Sequence, residues 1–528
     1  MKIEIMDTTL RDGEQMQGVS YAPLEKLHIA SLLLKDLRVD RIEIASARVS
    51  KGEFEAACKI AEWAAQNDML QRVEVLGFVD GNASLEWIKK AGLKVVNILT
   101  KGSLRHLKEQ LRKTPEQHVD DIRQVIKFAG DMGISVNIYF EDWSNGMIHS
   151  PDYVHFMMES LKNENVVRFM LPDTLGILNP DQTYEFCSIM IKKYPGLHFD
   201  FHPHNDYDLA VANVFSALKA GVKGVHTTVN GLGERAGNAP LSSVIAVIKD
   251  QLSLETNIDE AAITKVSRVV ESYSGIRIPE NKPVIGENVF TQTSGIHADG
   301  DSKANLYFNN LMPERFGRKR KYALGKLSGK ATIRKNLEEF GLDLTPDSIE
   351  RVTRRVIELG DKKENVTTED LPFIISDVLG DDKINNYKVR IINYSLATSH
   401  GMRPVAGILV EIDGQPYEET SLGDGQYDAF MKALRKIYKQ LGKELPILTD
   451  YKVSIPPGGR TDALVETVIS WNYRGIEFRT KGLDADQVAS AIKATEKMLN
   501  IIENPDSSKK FMIPSPDKNN KLKENQIL

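Results

Sequence analysis

The densest run of chemically capable side chains is His202-Pro203-His204-Asn205-Asp206. It ends the segment Phe199-Asp200-Phe201. In a strand, Asp200, His202 and His204 share one face, and Phe199, Phe201 and Pro203 share the other. Two imidazoles two residues apart can ligate one divalent ion when a carboxylate and further oxygens complete the shell. Asp12 is the natural third ligand. The alternative is a pair of hydrogen-bonding histidines on a polar rim.

Arg11 stands beside Asp12 in Asp7-Thr8-Thr9-Leu10-Arg11-Asp12-Gly13-Glu14-Gln15. Its guanidinium could bind a carboxylate or stabilise a developing oxyanion, or the two could form a surface salt bridge. Glu141, in Tyr139-Phe140-Glu141-Asp142-Trp143, is open to three readings: general base, partner of Arg11, or solvated capping acid. The loop Asn230–Asn238 carries Gly-x-Gly-x-x-x-Gly spacing. That run closes a series of strand–helix units where a dinucleotide fingerprint would open one, so NAD binding is rejected. A turn that brings an Asn to the histidines is the better use of its glycines. The run Arg315, Arg318, Lys319, Arg320, Lys321 is either a solvated loop or a contact for cofactor phosphates. No aromatic platform for a nucleic acid accompanies it.

These residues need a scaffold that gathers loops from distant segments. Short apolar runs recur at Ile3–Met6, Arg41–Ala45, Val73–Phe78, Val95–Leu99, Val136–Phe140, Val167–Leu171, Phe199–His202 and Val225–Val229, with helical-period text between them. Eight alternations in about 250 residues predict a (β/α)8 TIM barrel of class α/β, in preference to a doubly wound sheet. Polar residues follow seven of the eight strands, among them Ser46, Thr100, Asp142, Asp173 and Asn230, which points to one convergent mouth. The barrel is expected over 1–275, a mixed linker region with helices near 346–360 and 368–378 over 276–385, and a duplicated βββα domain over 386–503. Its two helices begin after Gly423-Asp424-Gly425 and Gly482-Leu483-Asp484. The tail 504–528 reads as disordered.

The chain has 528 residues and a formal charge of −5, which speaks against a globally basic nucleic-acid binder. Its two cysteines, Cys58 and Cys187, allow no disulfide framework. With no signal-like or membrane-spanning run, a cytoplasmic enzyme without membrane partners is expected.

Taken together, residues 7–15, 202–206, 231–238 and Ser294-Gly295-Ile296-His297-Ala298-Asp299-Gly300 resemble the acyl-CoA-dependent Claisen-condensing enzymes, the family of 2-isopropylmalate, homocitrate and citramalate synthases. The likeness spans about 1–503 and is greatest to the (R)-citramalate branch. It is carried by Leu76-Gly77-Phe78-Val79-Asp80-Gly81-Asn82, Leu99-Thr100-Lys101-Gly102-Ser103-Leu104 and Tyr139-Phe140-Glu141-Asp142-Trp143-Ser144-Asn145-Gly146. Pro203 and Met16-Gln17 depart from the usual pattern without removing a ligand.

The resemblance implies a divalent ion (Mg, Mn or Zn) on Asp12, His202, His204 and Asn238, with acetyl-CoA as co-substrate. It implies Arg11 as alkoxide stabiliser held by Glu141, Thr174 on the oxo-acid carboxylate, and Glu141 or His297 as base. Leu76, Leu99 and Tyr139 would wall a small apolar pocket suited to the methyl of pyruvate. The C-terminal repeat would sense a branched-chain amino acid, isoleucine in the citramalate branch, at Tyr427, Asp428, Leu448, Tyr451 and Ile455. A homodimer is expected. The alternatives are a 2-isopropylmalate synthase, a metal-dependent lyase on the same barrel, and a catalytically silent amino-acid sensor.

Overall fold

The computed structural model describes residues 2–340, 344–361, 388–454 and 465–503, with positions 366, 371, 374–375 and 378. The chain divides into two compact units, Met1–Thr291 with Phe308–Arg320, and Gln292–Tyr307 with Lys321–Leu528.

The first unit is built on a closed barrel of eight parallel strands in sequence order. They are β1 (Glu4–Asp7), β2 (Arg41–Ser46), β3 (Val73–Phe78), β4 (Val95–Lys101), β5 (Ser135–Glu141), β6 (Arg168–Asp173), β7 (Phe199–Pro203) and β8 (Gly224–Thr227). The eight expected strands are all present, with ends within two residues of those anticipated. Between them run helices such as Pro115–Asp131 and Pro180–Lys193. Each starts with proline and is capped at its N-terminus by a reciprocal capping box, Thr114 with Gln117 and Asn179 with Gln182.

The strands alternate with a period of two, interrupted on β2 by a register shift between Glu43 and Ser46. Ile42, Ile44, Val75, Ile98, Ile138, Phe140, Phe169, Leu171, Phe199, Phe201 and Val225 face outward into the large core shared with the helices. The residues between them fill the barrel. Met6, Leu76, Tyr139 and Met170, with Leu99 against them, form a separate inner apolar cluster. Around it stand buried polar groups: Arg41, Glu43, Glu74, Asn97, Asn137, Asp200, His202 and His226. A barrel interior is ordinarily filled with branched aliphatic side chains. Here about half of it is charged or amide, so each group needs a partner.

In the second unit two consecutive βββα repeats occur, as anticipated. Strands β9 (Val389–Ala397), β10 (Val405–Ile412) and β11 (Gln415–Leu422) form one antiparallel sheet, followed by the helix Gln426–Gln440. Strands β12 (Ile447–Ser454), β13 (Val465–Tyr473) and β14 (Ile476–Asp484) form the other, followed by Gln487–Glu503. Both helices contribute to one apolar core with Ile408, Val410, Ile469 and Trp471. The helix expected near 346–360 spans Pro346–Asp361. The expected disordered tail, most of the helix expected at 368–378, and Ile455 lie outside the described residues.

Candidate active site

Three of the predicted ligands meet at the C-terminal end of the barrel. Asp12 follows β1, His202 lies on β7, and His204 stands just beyond it; all three are buried. Asp12 Oδ2 is 3.1 Å from His202 Nε2 and 3.8 Å from His204 Nε2. One ligand atom from each lies within 4.8 Å of the others, a spacing that can hold a metal ion. Asn238 pairs backbone to backbone with His204. The glycine-rich loop makes this possible. Gly237 has φ +88°, and a Cβ there would meet Gly231 O at 2.0 Å. The fingerprint-like spacing therefore serves a turn that returns Asn238 to the histidines.

Electrostatics prepare these groups as ligands. Burial pushes the His202 and His204 imidazoles down to about 4, against the pull of Asp12, so both are neutral at pH 7. Burial opposes the Asp12 charge, but the adjacent Arg11 guanidinium overrides it and holds its carboxyl well below the usual range. Asp12 Oδ1 and Asn238 Oδ1 are buried with no hydrogen-bond partner among the described residues. Unsatisfied buried oxygens beside neutral imidazoles fit a divalent cation of mixed N/O preference.

Arg11 is a buried element of the mouth and not a surface pair. Its Nη1 reaches Asp12 Oδ2 at 2.9 Å, its Nε reaches Glu43 Oε2 at 2.5 Å, and its Nη2 lies 3.4 Å from the Tyr139 hydroxyl. The expectation that Glu141 holds Arg11 is corrected: the holder is Glu43, itself fixed by Asn97 Nδ2 at 2.7 Å. Glu141 instead forms an ion pair with Lys101, its neighbour in register on β4. Thr174 accepts the Asp142 N–H on its hydroxyl oxygen at 2.9 Å. Leu76, Leu99 and Tyr139 do share one inner cluster, with Met6 and Met170 added.

Other polar strand ends are absorbed by the loops. Asp173 accepts the Ile177 and Leu178 N–H groups, and Thr100 donates to Tyr139 O. The basic run is largely structural, against the idea of a free phosphate handle. Arg315 pairs with Asp250 at 2.9 Å and Glu260 at 2.6 Å, and Arg318 donates to the carbonyls of Val284, Gly286 and Glu287.

In the second unit, His297 Nδ1 lies 3.0 Å from Gln292 Oε1, and its ring sits 4.0 Å from that of Tyr307. Among the effector candidates, the Tyr427 hydroxyl meets Thr495 Oγ1 at 2.6 Å, and its ring is 5.4 Å from Tyr451. Leu448 flanks the same core. Asp428 does not join them, pairing instead with Lys432 at 2.7 Å.

Sequence reasoning missed Glu43, Asn97, His226 and the Arg41–Asp200 pair. A signal existed: charged residues two apart in an apolar strand, as in Arg41-Ile42-Glu43, must face the barrel interior when the intervening residues face the helices.

A family model described as HMGL-like matches residues 2–270. One described as homocitrate synthase post-HMGL domain-like matches 284–364, and one described as LeuA allosteric (dimerisation) domain matches 365–503. The chain is 34% identical to 2-isopropylmalate synthase of Pyrococcus furiosus, over 95% of this chain and 99% of that one. Two proteins of Methanocaldococcus jannaschii are each 32% identical. One is 2-isopropylmalate synthase, covering 95% of both chains, and the other is (R)-citramalate synthase CimA, covering 96% of this chain and 100% of that one. No helix among the described residues is long and apolar enough to cross a membrane. With its barrel, its post-barrel region and its duplicated C-terminal repeat each matched, the chain belongs to the HMGL-like family as a LeuA-type synthase.

Proposed function

We propose that the protein is an (R)-citramalate-forming acyltransferase: acetyl-CoA, pyruvate and water give citramalate and CoA. The observation that carries this reading is the adjacency of two features. The Arg11–Asp12–His202–His204 cluster opens beside an apolar cluster narrowed by the Tyr139 ring, whose hydroxyl lies 3.4 Å from Arg11 Nη2. A 2-oxo acid oriented by the polar groups would present its side chain to Leu76, Leu99 and Tyr139, where a methyl fits better than an isopropyl. The two Methanocaldococcus jannaschii relatives bear the two synthase names at equal identity, so overall similarity does not choose between the two oxo acids.

Asp12, His202, His204 and Asn238 would hold a divalent ion, which supplies Lewis-acid polarisation of the keto carbonyl. The chain's own groups do the rest. Arg11, kept protonated by Glu43 and Asp12 despite its burial, donates to the oxygen that gains charge as the new C–C bond forms. Thr174, whose oxygen already accepts from Asp142, has its hydroxyl proton left to donate to the oxo-acid carboxylate. The two base candidates differ in what they already hold: Glu141 is paired with Lys101, whereas His297 with its proton toward Gln292 Oε1 carries a lone pair at Nε2. A base takes a proton from the acetyl methyl, and later hydrolysis of the thioester makes the reaction irreversible.

The reading extends to a cytoplasmic homodimer with domains at 1–275, 276–385 and 386–503. Its repeat would bind isoleucine between Tyr427, Leu448 and Tyr451. The test is CoA release from acetyl-CoA with pyruvate, 3-methyl-2-oxobutanoate or 2-oxoglutarate offered separately. Preference for pyruvate with inhibition by isoleucine is expected. Preference for 3-methyl-2-oxobutanoate with inhibition by leucine would overturn it.

A further inference from the structure

A chain of hydrogen-bonding groups runs inward from the mouth, below the residues assigned a role above. His202 Nδ1 lies 3.2 Å from His226 Nδ1, and His226 Nε2 lies 3.1 Å from Asp200 Oδ2. Asp200 also accepts from Arg41 Nη2 at 2.5 Å and pairs with His198 Nε2 at 2.9 Å. Arg41 is in turn paired with Glu74 at 3.1 Å. Asp200, His226 and Glu74 are fully buried. The fold makes room for this chain at a specific residue. On β8, a Cβ at Gly224 would come within 2.0 Å of Asp200 Oδ1, so glycine is what lets the carboxylate lie there.

We propose that His226, fixed by Asp200, is a positioning residue that sets the tautomer of His202 and so opens the Asp12–His202–His204 cluster to a divalent cation. The inference rests on the reading of that cluster as a metal site.

The argument follows proton by proton. An ionised carboxylate has only acceptors, and Arg41 at 2.5 Å keeps Asp200 ionised. The hydrogen shared with His226 therefore sits on His226 Nε2, which makes Nδ1 of that neutral ring a lone pair. Two candidate donors face this lone pair: the Tyr139 hydroxyl at 3.1 Å and His202 Nδ1 at 3.2 Å. Nitrogens that close need one proton between them, and only His202 can supply it. With its hydrogen at Nδ1, His202 carries its lone pair at Nε2, the atom 3.1 Å from Asp12 Oδ2. Two acceptors face each other there, and a cation between them turns that repulsion into attraction.

In the opposite tautomer His202 Nε2–H would donate to Asp12 and close the site. Two Nδ1 lone pairs would then oppose each other in a buried environment. The Asp200–His226 pair disfavours that state. A carboxylate that orients a ligand histidine through its second nitrogen is a general device of metal sites. In this chain the effect is relayed through an intervening imidazole.

The test measures Mn²⁺ binding to metal-stripped full-length protein by isothermal titration calorimetry, in the native sequence and in His226→Asn, His226→Leu and Asp200→Asn. The amide oxygen in His226→Asn keeps an acceptor near the Nδ1 position, whereas His226→Leu has none. The Asp200→Asn amide can donate to His226 Nε2, which turns that ring to its Nδ1–H form and sets two protons against each other. His226→Asn should bind within about threefold of the native protein, and the other two should bind at least about tenfold more weakly. The rise in melting temperature caused by Mn²⁺ should shrink in the same order.

Native affinity in His226→Leu overturns the proposal, as does a loss in His226→Asn equal to that in His226→Leu. If His226→Leu does not fold, Asp200→Asn decides on the same criterion. Absence of saturable Mn²⁺ binding by the native protein would instead overturn the metal-site reading itself.

Discussion

Leu76→Ala isolates the pocket argument from the polar machinery. Leu76 is buried in the inner cluster with Met6, Tyr139 and Met170, and no hydrogen bond of the mouth depends on it. Truncation removes three carbons, and an isopropyl group exceeds a methyl by two. Burying two further carbons contributes about 1.6 kcal/mol, at about 0.8 kcal/mol each. That is roughly a 15-fold gain in transition-state binding for 3-methyl-2-oxobutanoate, before any relief of clash is added. The ratio of kcat/KM for 3-methyl-2-oxobutanoate to that for pyruvate should therefore rise by at least about 15-fold. Measured as a ratio from CoA release, it is insensitive to a general loss of activity. Stability should fall by about 2–5 kcal/mol, toward the low end because two flexible methionines can partly refill the space. A folded variant whose ratio moves by less than about twofold would refute the placement of the oxo-acid side chain against Leu76.

Three further outcomes follow from the geometry. Glu43→Gln removes the charge from the 2.5 Å contact that holds Arg11, and kcat should fall by about 10- to 100-fold with the KM for acetyl-CoA nearly unchanged, from the worth of one charge-assisted hydrogen bond. Lys26 is fully buried and pairs with Glu14 at 2.6 Å and Glu53 at 2.5 Å. Lys26→Met should cost about 3 kcal/mol in urea unfolding, because it takes the shared cation from two largely buried carboxylates beneath the Arg11 loop. His118 is buried, its Nε2 accepts the Lys101 N–H at 3.2 Å, and burial pushes its imidazole down to about 4. Between about 6.5 and 4 the unfolded chain takes a proton that the native state refuses. Stability should therefore be lost as pH falls through that window, by up to about 3 kcal/mol, and His118→Gln should flatten that part of the profile.

The parts of the molecule that were legible in sequence are those governed by local period. Ile42-Glu43-Ile44 and Phe199-Asp200-Phe201 alternate because one face meets the helices, and that rule alone yields eight strands and the orientation of His202. Partner choice is a different matter, since it depends on register between strands that are distant in sequence. The resemblance points Glu141 toward Arg11, and nothing local to either segment contradicts it. The barrel's register sets Glu141 opposite Lys101, and Arg11 turns down to Glu43 one layer deeper. Asp428 follows Tyr427 in the chain, yet adjacent helical residues diverge, and Asp428 finds Lys432 one turn on.

The charged barrel interior has a physical rationale that the apolar alternative lacks. Burying Arg41, Glu74, Asp200 and His226 costs desolvation that aliphatic residues would avoid, and buried ion pairs seldom repay it in stability. What such groups provide is direction. A leucine in place of Asp200 could pack, but it could not tell His226 which nitrogen carries its proton. Arg41 bonded to Asp200 and Glu74 leaves the carboxylate one orientation, and each group above it inherits that constraint up to His202. The same logic holds on the neighbouring strands, where Asn137 donates to Asn97, Asn97 to Glu43, and Glu43 accepts from Arg11. Two polar ladders thus rise through the barrel and end on two adjacent groups of the mouth, one on the imidazole and one on the guanidinium. Rotational freedom at the site is removed before any substrate arrives, at a cost in stability that the large outer core can bear.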